Sequence, residues 1–294
     1  MHDKASYVFR EIGICILPDL ENPKQNLMKK LKTPLVVSAL LLAFIPQSQA
    51  ALLAYEGFNT SGDYVSGSPI VGVSGGSGWS GAFTQGGTYS FNGAAGGLSY
   101  GDLSITVGQA TLPSDGNPFE FVQNSRAFTP VSTGDFWISW LYSPGSPDSI
   151  YSGLGISKTS GGELFYIGTD GNGQFRVDTT GAGGGNNSYG ALASGTQFVT
   201  VNVNYAAGTL AVYRNPTPGG ALGTALTSLS GIVPGEVKSV VFLGGANGVT
   251  SFDELRLGTT YLDVAPVPEP SAILLLAIVG ILPLALRSRK TFLA

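Results

Sequence analysis

The only cysteine is Cys15 and the only histidine is His2. Beyond residue 15 the chain therefore has no thiol nucleophile, no imidazole base, no Cys/His zinc site and no disulfide. Carboxylates, aromatic rings and hydroxyls are left for chemistry. Paired carboxylates hydrolyse glycosides when both flank one bond. Asp253 and Glu254 are adjacent, so a regular strand sends them to opposite faces, and Glu56, Glu120 and Glu163 stand singly. No catalytic residue is expected, and glycoside hydrolysis ranks last among the functions weighed. Asp170-Gly171-Asn172-Gly173 lacks the Glu-terminated twelve-residue loop of a calcium hand and reads as a hairpin turn. Glu56 and Asp253 are a separate case: if the first and last strands pair, these carboxylates could share one structural Ca2+. No other cofactor is expected. Gly76-Ser77-Gly78-Trp79-Ser80-Gly81 has the spacing of a dinucleotide fingerprint, but that motif needs a helix after it. The Gly-rich stretch that follows has no helical period. Of the tryptophans, Trp140 alternates with Phe136 and Ile138 and reads as core. Trp137 falls on the other face beside Ser139 and is the candidate for stacking on a sugar ring.

These side chains must be positioned by β structure. The 294 residues include 43 Gly, with 12% charged and 10% aromatic residues, so Gly-rich turns coexist with enough apolar mass to bury a core. Residues 51–270 hold six Lys/Arg and fifteen Asp/Glu, a balance of −9, with no basic stripe. Binding to a phosphate backbone needs clustered cations, so nucleic acid is excluded as a partner. Gly, Pro, Asn and Asp clusters recur between short β-rich runs, the pattern of a sandwich. Val199, Val201, Val203 and Tyr205 alternate with Thr200, Asn202 and Asn204, and 136–142 alternates likewise. Leu164–Ile167 and Phe175–Val177 flank the Asp170 turn. Further strands are expected at 52–58, 98–106, 119–128, 150–157, 209–213, 237–243 and 250–257.

The two ends read differently. Met28-Lys29-Lys30-Leu31-Lys32, an apolar run from Leu35 to Ile45, and Ser48-Gln49-Ala50 form a signal peptide. Signal peptidase should cut between Ala50 and Ala51. Residues 1–27 read as an upstream extension of the gene model, with Met28 the start. At the other end Val267-Pro268-Glu269-Pro270 precedes an apolar run, 272–286, and then Arg287, Arg289 and Lys290. As a helix those 15 residues span about 22 Å against a hydrocarbon core of about 30 Å. The prolines bar helix upstream, and the basic cluster marks a membrane stop on the cytoplasmic side. The expected parts are thus a signal peptide at 28–50, an all-β domain at 51–264 and a tail at 265–294.

The ordered set of Pro268-Glu269-Pro270, short apolar helix and basic cluster resembles the PEP-CTERM sorting signal of Gram-negative bacteria. That resemblance implies recognition of Pro268, Glu269 and Pro270 by exosortase. It also implies a transient inner-membrane anchor and delivery to the outer envelope, cell surface or an exopolysaccharide matrix. The region 51–263 resembles PEP-CTERM proteins with a concanavalin A-like (laminin-G-like) jelly roll. This second resemblance rests on Leu53-Ala54-Tyr55-Glu56-Gly57-Phe58, Gly76-Ser77-Gly78-Trp79, Gly97-Leu98-Ser99-Tyr100, Phe136–Tyr142, Asn215-Pro216-Thr217-Pro218 and Phe252-Asp253-Glu254-Leu255-Arg256. It implies an antiparallel jelly-roll β-sandwich, all-β, with glycan binding in many relatives. The expected function is a noncatalytic surface or matrix protein acting by binding or structure. The alternative is a lectin-like glycan-binding module.

Overall fold

A computed structural model describes residues 52–112, 121–144, 152–170, 172–179, 187–192, 194–231, 235–245 and 249–266. The chain divides into Met1–Gln49 and Ala50–Ala294, and all the described residues belong to the second unit. The signal peptide with Ala50 and Ala51, the Pro268-Glu269-Pro270 motif, the apolar run and Arg287, Arg289 and Lys290 lie outside the described residues. No helix among the described residues is long and apolar enough to cross a membrane.

The domain is an antiparallel jelly-roll β-sandwich of two sheets. The first sheet runs β13 (Thr227–Ser230), β12 (Thr209–Arg214), β11 (Gln197–Asn204), β6 (Asp135–Ser143), β15 (Thr250–Gly258), β4 (Gln109–Leu112) and β3 (Asn92–Ala94). β1 (Leu52–Glu56) also pairs with β15, with Glu56 opposite Leu255 and Leu52 opposite Gly258. The second sheet runs β10 (Asn187–Ala191), β9 (Gln174–Thr179), β8 (Glu163–Thr169), β7 (Ser152–Lys158), β14 (Val237–Gly245), β5 (Phe121–Val131) and β2 (Thr84–Gln85). The one helix among the described residues is α1 (Tyr261–Val264), started by a Thr260–Asp263 capping box.

Period-two alternation sorts the faces. Phe136, Ile138, Trp140 and Tyr142 of β6 and Val199, Val201 and Val203 of β11 enter the core, as the sequence pattern requires. Phe242 of β14 and Phe252 of β15 meet at 5.0 Å between ring centroids, and Phe58, Phe83 and Phe91 pack around them. The Asp170 turn forms as expected: its Oδ1 accepts from Asn172 N and Gln174 N.

Two expectations fail, for one reason. Residues 98–106 are not a strand. They lie across the outer face of β15, whose residues are buried on both faces. Nor do Asp253 and Glu254 point apart. A bulge breaks the register of β15 with β6 between Asp253 and Arg256, and Glu254 takes φ +51°. Phe252 and Leu255 remain in the core, and both intervening carboxylates turn to the covering segment. Asp253 Oδ2 accepts from Leu98 N, and Glu254 Oε1 accepts from Thr106 N. The bulge spends its extra residue on fastening the cover.

Candidate functional site

Trp137 lies on the outer face of the first sheet, half-buried. The register places it beside Asn202 and, one strand further, Ala211. Its ring stacks on Tyr213 of β12 (6.2 Å, 24°) and leans on Tyr261 of α1 (5.8 Å, 54°). Tyr261 is fixed by its hydroxyl, which donates to Thr217 O at 2.7 Å. Thr200 occupies the next outward position of β11, between Ser139 and Tyr213. Thr200 Oγ1 and Asn202 Nδ2 are buried and find no hydrogen-bond partner among the described residues. Both atoms are closed to solvent, so the groups this face offers to an outside partner are the part-exposed Trp137, Asn202 and Tyr213 side chains. Ala211 and Ser228 continue the Trp137 row toward the sheet edge, while Trp137 packs on its other side against a second apolar cluster of Leu103, Leu141, Phe198, Tyr261, Val264 and Ala265. Flat ring faces with amide and hydroxyl groups are the elements of a sugar subsite. Sequence reasoning found Trp137 from alternation alone. Tyr213 and Tyr261 were missed because they reach Trp137 from other elements.

The second sheet carries a polar cluster that sequence reasoning also missed. On its outer face Asp178 sits opposite Tyr166, and Arg176 bonds Asp178 at 2.8 Å. The Glu163 carboxylate lies over Gly155, where a Cβ would come within 2.1 Å of it. Burial, and then the neighbouring Asp178 charge, push the Glu163 carboxyl up to about 7. Glu163 and Asp178 thus differ in environment as well as position. No period-two pattern could announce this, since Glu163 reaches its place by leaning along the strand.

The terminal strands do pair, yet Glu56 and Asp253 belong to separate networks. Glu56 faces inward with Ala54 and is closed on by donors from the protein: the Arg126 guanidinium, Tyr64 Oη at 2.7 Å and Phe58 N at 2.9 Å. Burial pushes its carboxyl up, against the pull of Tyr64 and Arg126. Arg126 lies between the Trp79 and Phe83 rings, 5.0 Å from each, and its Nε donates to Gly81 O. Asp253 faces outward to the cover, where burial and then the Glu254 charge push it up to about 9. A cation already occupies the Glu56 carboxylate, and Asp253 is turned to the other side of the sheet. The pair does not fit one shared Ca2+. Among the described residues no group of three or more His, Cys, Asp or Glu could hold a metal ion.

The Gly76-Ser77-Gly78-Trp79 segment is a strut against β1. Ser77 and Tyr55 exchange both backbone hydrogen bonds at 2.9 Å, and Trp79 Nε1 donates to Tyr55 O. A Cβ at Gly78 would lie 2.0 Å from Leu53 O, which explains the glycine without any nucleotide.

No protein-family model and no curated protein matches the sequence. Solved structures that align with the fold include a sialidase (14% identity, TM-score 0.42), over 59% of this chain and 17% of that one. This chain therefore spans a small part of that protein. The T. cruzi calreticulin globular domain aligns at 11% identity and TM-score 0.45, over 71% and 88% of the two chains. The lectin UEA-II, solved with galactose, aligns at 10% identity and TM-score 0.36, over 60% and 92%.

Proposed function

We propose that the chain is an exported, noncatalytic surface protein whose sandwich binds carbohydrate on the outer face of its first sheet. The observation that carries the binding reading is the stacked Trp137–Tyr213 pair on the outer face, with the part-exposed Asn202 beside Trp137. A pyranose ring can lay its C–H face on such a wall and turn its hydroxyls to the amide. The address is read from the two ends of the sequence. The signal peptide at 28–50 exports the domain, and the tail holds it in the inner membrane until exosortase acts near Pro268-Glu269-Pro270. The prolines keep that segment extended, the form a peptide-cleaving site can grip. Exopolysaccharide of the envelope or matrix is the partner that fits both address and site.

A glycan array followed by titration tests the binding. Trp137→Ala and Tyr213→Ala should each weaken binding about 30-fold, as loss of an aromatic anchor worth about 2 kcal/mol requires. Unchanged affinity in both variants, or no binding to any glycan, refutes the reading. For the address, Ala at Pro268, Glu269 and Pro270 should leave export intact and accumulate untrimmed protein in the inner membrane. Normal trimming of that variant would make the segment a linker.

A further inference from the structure

Eight large apolar side chains are exposed among the described residues, and five of them, Leu52, Leu53, Ile105, Val107 and Leu262, lie on the three elements around the exit: β1, the covering segment and α1. Leu52 pairs with Gly258, and Leu53 shares the outward face of β1 with Tyr55. Tyr55 is covered by Thr106, whose flanking residues Ile105 and Val107 point away from the sheet. Leu262 stands on α1 beside Asp263, and a Cβ on Gly258 would meet the Asp263 side chain. The exit stem runs through this patch and is tied down to its last described residue. Ser139 Oγ donates to Val264 O, Gly219 N to Ala265 O at 2.9 Å, and Ser104 N to Pro266 O at 3.2 Å. Ser104 precedes Ile105, so the chain departs from within the apolar patch.

The apolar run begins at Ala272. From Pro266 to that point the chain spans about 20 Å at full stretch, and the headgroup layer alone takes up roughly 5–8 Å of it. A domain so tethered stays within about 12–15 Å of the headgroup layer, and the surface held nearest the bilayer is the one around the exit. We propose that, while the tail is anchored, the domain rests on the lipid surface through Leu52, Leu53, Ile105, Val107 and Leu262. This rests on the reading of 272–286 as a membrane anchor. The lipid contact is apolar: no Lys or Arg stands among or next in sequence to these five residues, and the domain is acidic. Neutral phosphatidylcholine should therefore suffice, and no anionic lipid is required.

Residues 51–294 contain no cysteine, so single-cysteine labels report cleanly. The chain from Ala51 with its complete tail is placed in phosphatidylcholine vesicles carrying doxyl-labelled lipid. A polarity-sensitive fluorophore is attached in Leu262→Cys, Ile105→Cys, Lys238→Cys and Ala277→Cys variants. Lys238 is exposed on β14 of the other sheet, and Ala277 lies within the apolar run. The proposal expects lipid quenching at 262 and 105 at least twofold above that at 238, with strong quenching at 277. Quenching at 277 with 262 and 105 no higher than 238 overturns the proposal and leaves the anchor reading standing. No quenching at 277 removes both.

Discussion

Replacing Arg126 by Leu tests what the buried Arg126–Glu56 ion pair is worth. Arg126 and Glu56 are 2% and 1% exposed, and among the described residues the guanidinium is the only cation bonded to that carboxylate. In the variant Glu56 retains Tyr64 Oη and Phe58 N, which stabilise its charge only in part. Breaking a buried pair from one side costs about 3–5 kcal/mol. For a domain of this size that is roughly 6–20 °C in Tm at pH 7. The pH dependence has a definite sign. Without its cation the Glu56 carboxyl, already raised by burial, rises further above its unfolded value. The variant is then least impaired below about pH 4, where Glu56 is protonated in both states, and loses stability as pH rises through the folded value. The companion is Glu56→Gln with Arg126→Leu, which keeps an acceptor for Phe58 N and removes the stranded charge. Thermal denaturation at pH 4 and pH 7 decides. A double variant no more stable than Arg126→Leu alone at pH 7 would refute the argument that an uncompensated charge sets the cost.

Further outcomes follow from the same geometry. Gly78→Ala puts a Cβ against Leu53 O at φ +76° and should cost about 2 kcal/mol or more, whereas Gly81→Ala meets nothing within 4 Å and should be near neutral; urea midpoints compare them. With Asp253 raised to about 9, its share of stability is present below about pH 4 and lost as pH climbs toward 9. Asp253→Asn should flatten that decline, and parallel Tm curves for parent and variant would count against it. Millimolar Ca2+ should leave Tm within about 1 °C, because Arg126 already holds Glu56; a rise of several degrees would reveal a site in which these carboxylates take part.

The sandwich was legible wherever one face of a strand is wet. β6 and β11 announce themselves through Phe136–Tyr142 and Val199–Val203, because water on one side and core on the other enforce period two. β15 is buried on both sides, and its carboxylates read as ordinary strand residues until the bulge at Glu254 is seen. The short strands β3, β4 and β13 draw their order from neighbours more than from their own three or four residues. The candidate site was half legible. Trp137 follows from alternation, but its wall is completed by Tyr213 from β12 and Tyr261 from the exit stem, and local pattern carries no record of such meetings.

The position of β15 bears on how this domain comes into being. It is the last of the described strands, yet it lies inside the first sheet, between β6 on one side and β4 and β1 on the other. A chain that appears from its N-terminus cannot close this sandwich until residue 258 has arrived. Before that, β6 has an unclaimed edge, Phe252 is missing from the aromatic cluster, and the cover at 98–106 has nothing to grip. Contacts of such long sequence separation form slowly, and open strand edges invite pairing between molecules. A fragment ending before Thr250 should therefore aggregate where the complete domain stays monodisperse. The domain closes in one late event, and any factor that shields the waiting edge of β6 governs the yield.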